Sequence, residues 1–155
     1  MIKTIFFARN DYTGFILRFT LGSVILPHGA QKLLGWFGGY GFTGTMQFFT
    51  EVIELPWIIG FTVILIETIG SLLLIAGFGS RLMAALMAIL MTGIIFSVHA
   101  ENGFFMNWFG NQKGEGIEYF LLAIGLALGV MVNGGGAYSI DGILSKPKKW
   151  ISDFA

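Results

Sequence analysis

The chain has 155 residues, of which 55% are hydrophobic and 12% charged, with nine basic and nine acidic side chains and no cysteine. Soluble domains carry about a quarter charged residues, so this composition points to lipid as the surrounding solvent, and the zero net charge gives nucleic-acid binding no support. Without a cysteine the chain can supply no disulfide, thiolate metal site or thiol relay, so no intrinsic cofactor is expected and an electron carrier would have to be bound or belong to a partner.

The length suits one domain, 1–155. The opening MIKTIFFARNDY is not expected to be a cleaved leader, because its apolar patch is short and Arg9, Asn10 and Asp11 follow it without a small-residue cleavage site. Four segments approach the roughly 20 apolar residues that span a bilayer as helix. They run from about Thr13 to Trp36, Trp57 to Phe78, Arg81 to Ala100 and Ile117 to Gly136. Hence the expected fold class is all-α, an integral-membrane bundle of four transmembrane helices.

The first segment is apolar and yet holds Arg18, His28, Gln31 and Lys32. Ionisable residues inside a membrane face the bundle interior, pair, or mark a functional path. At 100° per residue, Arg18, Gly22, Gly29 and Lys32 share one stripe with His28 at its edge, and Pro27 is expected to kink the helix before His28. The Gly38-to-Pro56 connection, an outer loop over 38–56, contains TGTMQFFTEVIEL, which reads as a short interfacial amphipathic helix. In the second segment Gly60, Glu67, Gly70 and Ser71 share a side, with Glu67 near mid-helix. The third offers Thr92, Phe96 and His99, and the second outer loop, 102–116, alternates aromatics with polar residues and glycine. The fourth offers Glu118, Leu122, Gly125 and Gly129, the last two a GxxxG pair. Each of these stripes is expected to face inward. The cytoplasmic tail, 141–155, is expected to be a solvated or surface-lying segment after Asp141.

Basic residues flank one end of the spans: Lys3, Arg9, Arg81, Lys146, Lys148 and Lys149. By the positive-inside tendency both termini and the short turn at Gly77–Ser80 are then cytoplasmic. Trp36, Tyr40, Trp57, Trp108 and Tyr119 form an aromatic belt on the outer side.

The ordered set Arg18, Gly22, His28, Gly29, Lys32, then Pro56, Glu67, Gly70, Gly77-x-x-x-Arg81, His99, Glu118 and Ser139-Ile140-Asp141 resembles the DoxX family over nearly the whole chain. The resemblance implies a multi-pass bacterial inner-membrane protein of four helices, whose family name comes from a membrane subunit associated with quinol oxidase or thiosulfate:quinone oxidoreductase. It also implies a soluble redox enzyme as partner.

Arg18, His28, Lys32, Glu67, His99 and Glu118 form the candidate ligand-binding polar cluster. Arg18 and Glu67 are expected to pair for bundle registry, with proton carriage or ligand binding by Glu67 as the alternative. Lys32 either snorkels or runs inward. His28 and His99 are assigned to a polar outer pocket, with contact to a quinone-like carbonyl as the second reading and axial haem ligation as a distant third. No metal-ligand spacing is present, although His99, Glu101 and Glu118 are all oxygen or nitrogen donors. Catalytic residues are not identifiable, and whether the chain is an enzyme is left open. The leading reading is the membrane component of a redox or quinone-linked system. The alternatives are a non-enzymatic scaffold or assembly factor and, third, a permeation path built by a homo-oligomer.

Overall fold

The structure is a computed structural model and describes residues 11–145; the expected cytoplasmic tail beyond 145 and the segment before Asp11 lie outside the described residues. Among the described residues every regular element is helical. In chain order they are α1 (Tyr12–Leu34), α2 (Gly41–Gln47), α3 (Trp57–Ala76), α4 (Ser80–Asn102), α5 (Glu118–Asn133) and α6 (Ile140–Ser145). Of these, α3 and α4 are long and apolar enough to cross a membrane, and α5 is a shorter apolar helix.

Each boundary has a local cause. The Asp11 carboxylate caps α1 by accepting from Gly14 N–H at 2.8 Å, satisfying a donor with no intrahelical partner. The helix runs on through Pro27 and ends at Gly35, whose φ of 73° is left-handed. The Gly38–Pro56 connection does form the expected helix, α2, extended by a π-helical turn at Phe48–Val52.

The four longer helices pack about one core. α1 lies against α3 and α5, and α4 packs along α5. The α1–α3 contact depends on missing side chains. A Cβ at Gly22 would sit 2.8 Å from the Ser71 carbonyl oxygen, and one at Gly29 would sit 2.7 Å from that of Glu67. Close backbone approach of this kind is how helices associate when the hydrophobic effect gives no preference for helix over lipid. The α1 stripe is therefore inward, as its angular spacing predicts, and Gly60, Glu67, Gly70 and Ser71 of α3 are all buried.

Two other stripes face inward only in part. On α4 the buried residues are Ser80, Ala84, Met87, Leu90, Met91 and Ile95, whereas Phe96 is 78% exposed and Thr92 is exposed. The Thr92 hydroxyl donates to Ala88 O at 2.8 Å, so its own helix satisfies it. A π-helical turn at Ile95–His99 also shifts the phase of the helix end. On α5 the buried face is Phe120, Ala123, Ala127 and Val130; Leu122 is exposed and a Cβ at Gly125 would meet nothing within 4 Å. The GxxxG pair thus points mostly outward, with only Gly129 touching α1 through Leu17.

Candidate functional site: a polar-floored cavity and a separate arginine clasp

The six candidate polar residues divide between three places. Arg18 is fully buried at the end of the bundle that carries the short α3–α4 turn. It does not pair with Glu67. Its Nε donates to Gly135 O at 2.5 Å, Nη1 to Leu74 O at 3.0 Å and Ile75 O at 2.5 Å, and Nη2 to Ala137 O at 3.0 Å and Tyr138 O at 2.8 Å. Leu74 and Ile75 are in the last turn of α3, where carbonyls lack intrahelical partners and the helix dipole favours a cation. Five fork-like donors suit such a carbonyl cradle as lysine could not. Phe15 packs its ring 5.2 Å from the guanidinium carbon.

The cradle needs an unusual backbone. Gly77, at φ 71°, has no room for a side chain: a Cβ there would lie 2.5 Å from that of Ser139 and 2.9 Å from Arg18 Cζ. Tyr138 is left-handed too, at φ 54°, a conformation that costs an L-residue about 1–2 kcal/mol and that the Arg18 bond helps to hold. Asp141 completes the clasp. Its two carboxylate oxygens accept from Gly79 N at 2.7 Å and Ser80 N at 2.8 Å, which caps the start of α4, and its own N–H donates to Gly77 O at 2.9 Å.

The second place is a cavity of about 650 Å³ nearer the end that carries the two long loops, lined by residues that include His28, Lys32, Glu67 and His99. Lys32 Nζ lies 2.7 Å from Glu67 Oε2, the Glu67 side chain being 3% exposed and that of Lys32 25%. Lys32 therefore runs inward to supply the counter-charge assigned by sequence to Arg18. His28 sits at the exposed edge, with its ring 6.0 Å from that of Tyr119. His99 packs on Phe120 at 4.5 Å and its Nδ1 is 2.7 Å from Glu115 O. Around this polar floor the walls are apolar, from Ile25, Phe48, Phe49, Ile59, Ile66 and Leu90 among others.

Three π-helical turns occur among the described residues, at Phe48–Val52, Ile66–Gly70 and Ile95–His99. Each gives side chains to this one cavity: Phe48 and Phe49, Ile66 and Glu67, and Ser97, Val98 and His99. Such turns strain helical hydrogen bonding and concentrate at functional positions.

Glu118 occupies the third place. Its carboxylate accepts from Met106 N at 2.8 Å and Trp108 Nε1 at 3.3 Å, so it latches the 102–116 loop to the start of α5. Glu115 adds a bond to Asn107 N at 2.6 Å, and its carbonyl accepts from Asn102 Nδ2 at 3.1 Å. Tyr119 is a residue that sequence reasoning misplaced. Trp36, Tyr40, Trp57 and Trp108, assigned by sequence to an aromatic belt, are more than half exposed. Tyr119 instead lines the cavity, and its hydroxyl is buried without a hydrogen-bond partner. A buried hydroxyl lacking a partner is uncommon and costly, and no sequence pattern distinguishes it from an interfacial tyrosine.

Apolar helices, two of them long enough to cross a membrane, and a cavity apolar except at one floor define an all-helical protein with a small-molecule-sized chamber. The family model for DoxX matches residues 14–100, and the chain belongs to that family. It is similar to a protein of Bacillus subtilis (strain 168) named "Putative oxidoreductase CatD", with 29% identity over 134 residues, covering 86% of this chain and 88% of that protein. No solved structure matches the chain.

Proposed function

We propose that this chain is a multi-pass protein of the bacterial inner membrane, with α1, α3, α4 and α5 crossing the bilayer and both termini cytoplasmic. It serves as the membrane component of a redox system, and its cavity receives a quinone-type head group. The carrying observation is the cavity itself, where three π-helical turns, the Lys32–Glu67 pair and the unbonded Tyr119 hydroxyl meet. A quinone carbonyl is an acceptor; Lys32 and the Tyr119 hydroxyl are donors on the floor, and the His28 ring N–H is a donor at its edge. The name of the Bacillus subtilis relative supports a link to oxidation–reduction chemistry. Because the chain has no cysteine, electrons for a bound quinone are assigned to a partner enzyme.

The transmembrane reading explains why α1 tolerates a buried and a half-buried cation: Arg18 is saturated by carbonyls and Lys32 is paired with Glu67, as lipid requires. The cytoplasmic assignment rests on Arg81 at the α3–α4 turn and on the basic residues near both ends of the sequence.

Native mass spectrometry of the protein taken gently from its own membrane, with lipid extracts run beside it, tests this. A co-purifying quinone that falls in Glu67→Gln and Tyr119→Phe is the expected result; wild-type protein without quinone refutes the reading. One observation favours a scaffold as the second reading: Phe104, Phe105, Trp108 and Phe109 of the latched loop are 51%, 66%, 77% and 90% exposed. A stable partner protein on a ligand-free chain would establish it.

A further inference from the structure

The cavity is walled unequally. At the loop end it is bounded by Phe48 and Phe49 beside α2 and by Met106 and Glu115 of the 102–116 loop, which Glu118, Asn102 and Asn107 hold in place. Its flank differs. α3 packs on α4 through residues 66–76, near their connecting turn, whereas its first half, Trp57–Leu65, packs on α1 and α2 instead. The gap left between that half and the middle of α4 is edged by cavity-lining residues that are also surface residues. Ile59 is 48% exposed, Ile89 is 70% exposed, and a Cβ at Gly93 would meet nothing within 4 Å.

We infer that the cavity is entered sideways, through this gap between α3 and α4, by a lipid-borne amphiphile whose apolar tail stays in the gap while its head reaches the Lys32–Glu67 pair. This rests on the transmembrane, ligand-binding reading above and adds the route and the class of ligand. A polar, water-soluble substrate would have to pass the loop-covered end and then leave polar groups against apolar walls, an unfavourable burial. An amphiphile matches both surfaces at once. Its tail needs no room inside the chamber, because the open flank lets it extend into surrounding lipid.

The test fills the gap without touching the floor. Gly93→Trp places a ring in open space, and Gly125→Trp is its control, since a Cβ there also meets nothing within 4 Å and Gly125 does not line the cavity. Each protein is reconstituted into phospholipid vesicles doped with a long-tailed benzoquinone, re-isolated, and its bound lipids are quantified. Gly93→Trp is expected to carry less quinone than wild type by about tenfold, a loss of about 1.4 kcal/mol, and Gly125→Trp as much as wild type. If Gly93→Trp carries the wild-type amount, side entry is wrong while the quinone reading stands. If wild type takes no quinone but holds another acyl-chain lipid that Gly93→Trp loses, the quinone reading falls and side entry stands. Wild type free of both refutes both. Should Gly93→Trp fail to fold, Ile89→Trp on the same edge gives the same readout.

Discussion

Replacing Arg18 with methionine isolates the clasp. Methionine keeps much of the volume and removes five donors, so the carbonyls of Leu74, Ile75, Gly135, Ala137 and Tyr138 lose the guanidinium together. They are not all stranded, since Leu74 O also accepts from Gly77 N at 3.0 Å. Each buried acceptor left without a partner costs about 1–3 kcal/mol. Desolvating the arginine in the first place cost several kcal/mol, which the variant recovers. The net expectation is a loss of about 3–5 kcal/mol, as when one member of a buried charged network is removed. For a chain of this size that lowers the unfolding midpoint by on the order of 10 °C. Arg18→Lys keeps the charge but has three donors, and should fall between. The assay is thermal or detergent-driven unfolding of purified protein, followed by circular dichroism, with exposed Lys113→Ala as control. Arg18→Met within about 1 kcal/mol of wild type would show that the carbonyl cradle is not what holds α1 to the end of α3 and to the segment after α5.

The ion pair makes an asymmetric double-mutant cycle. Lys32→Met strands a carboxylate that is 3% exposed and should cost about 3–5 kcal/mol. Glu67→Leu leaves an ammonium that can still reach water and should cost less, and the double variant should be milder than Lys32→Met alone; Glu51→Ala, at an exposed site, is the neutral reference. Gly29→Ala drives a methyl against the Glu67 carbonyl and should cost about 1–3 kcal/mol in unfolding experiments, whereas Gly125→Ala should be neutral or slightly stabilising. Asp141→Ala removes both bonds to the start of α4 and should lower stability by about 1–2 kcal/mol, with amide exchange quickening first at Gly79 and Ser80. Tyr119→Phe removes a hydroxyl without a protein partner, so it should leave stability unchanged or raised while weakening ligand retention; a clear loss of stability would mean that the hydroxyl is bonded within the fold.

Angular arithmetic succeeded on α1 because its informative residues are charges and glycines. Arg18 and Lys32 cannot face lipid cheaply, and Gly22 and Gly29 matter only where another backbone comes close. It failed on α4 and α5 because threonine can satisfy itself on its own helix, as Thr92 does, and because a glycine such as Gly125 may face open space. In a helix that is apolar all round, hydrophobicity no longer marks the inside. The partners of Arg18 are hidden for a different reason: backbone carbonyls have no sequence signature, whereas Glu67 is a visible counter-charge.

Sequence by itself determined the all-helical class and the apolar segments, because these follow from composition and spacing, and it held the ordered motif residues on which the DoxX resemblance rests. Only the tertiary structure decided who meets whom. It sent Arg18 to the ends of α3 and α5, gave Glu67 to Lys32, turned Tyr119 into the cavity and made Glu118 a loop latch. Those choices depend on the approach of separate helices and on turn geometry at Gly77 and Tyr138, which no periodicity along a single helix encodes.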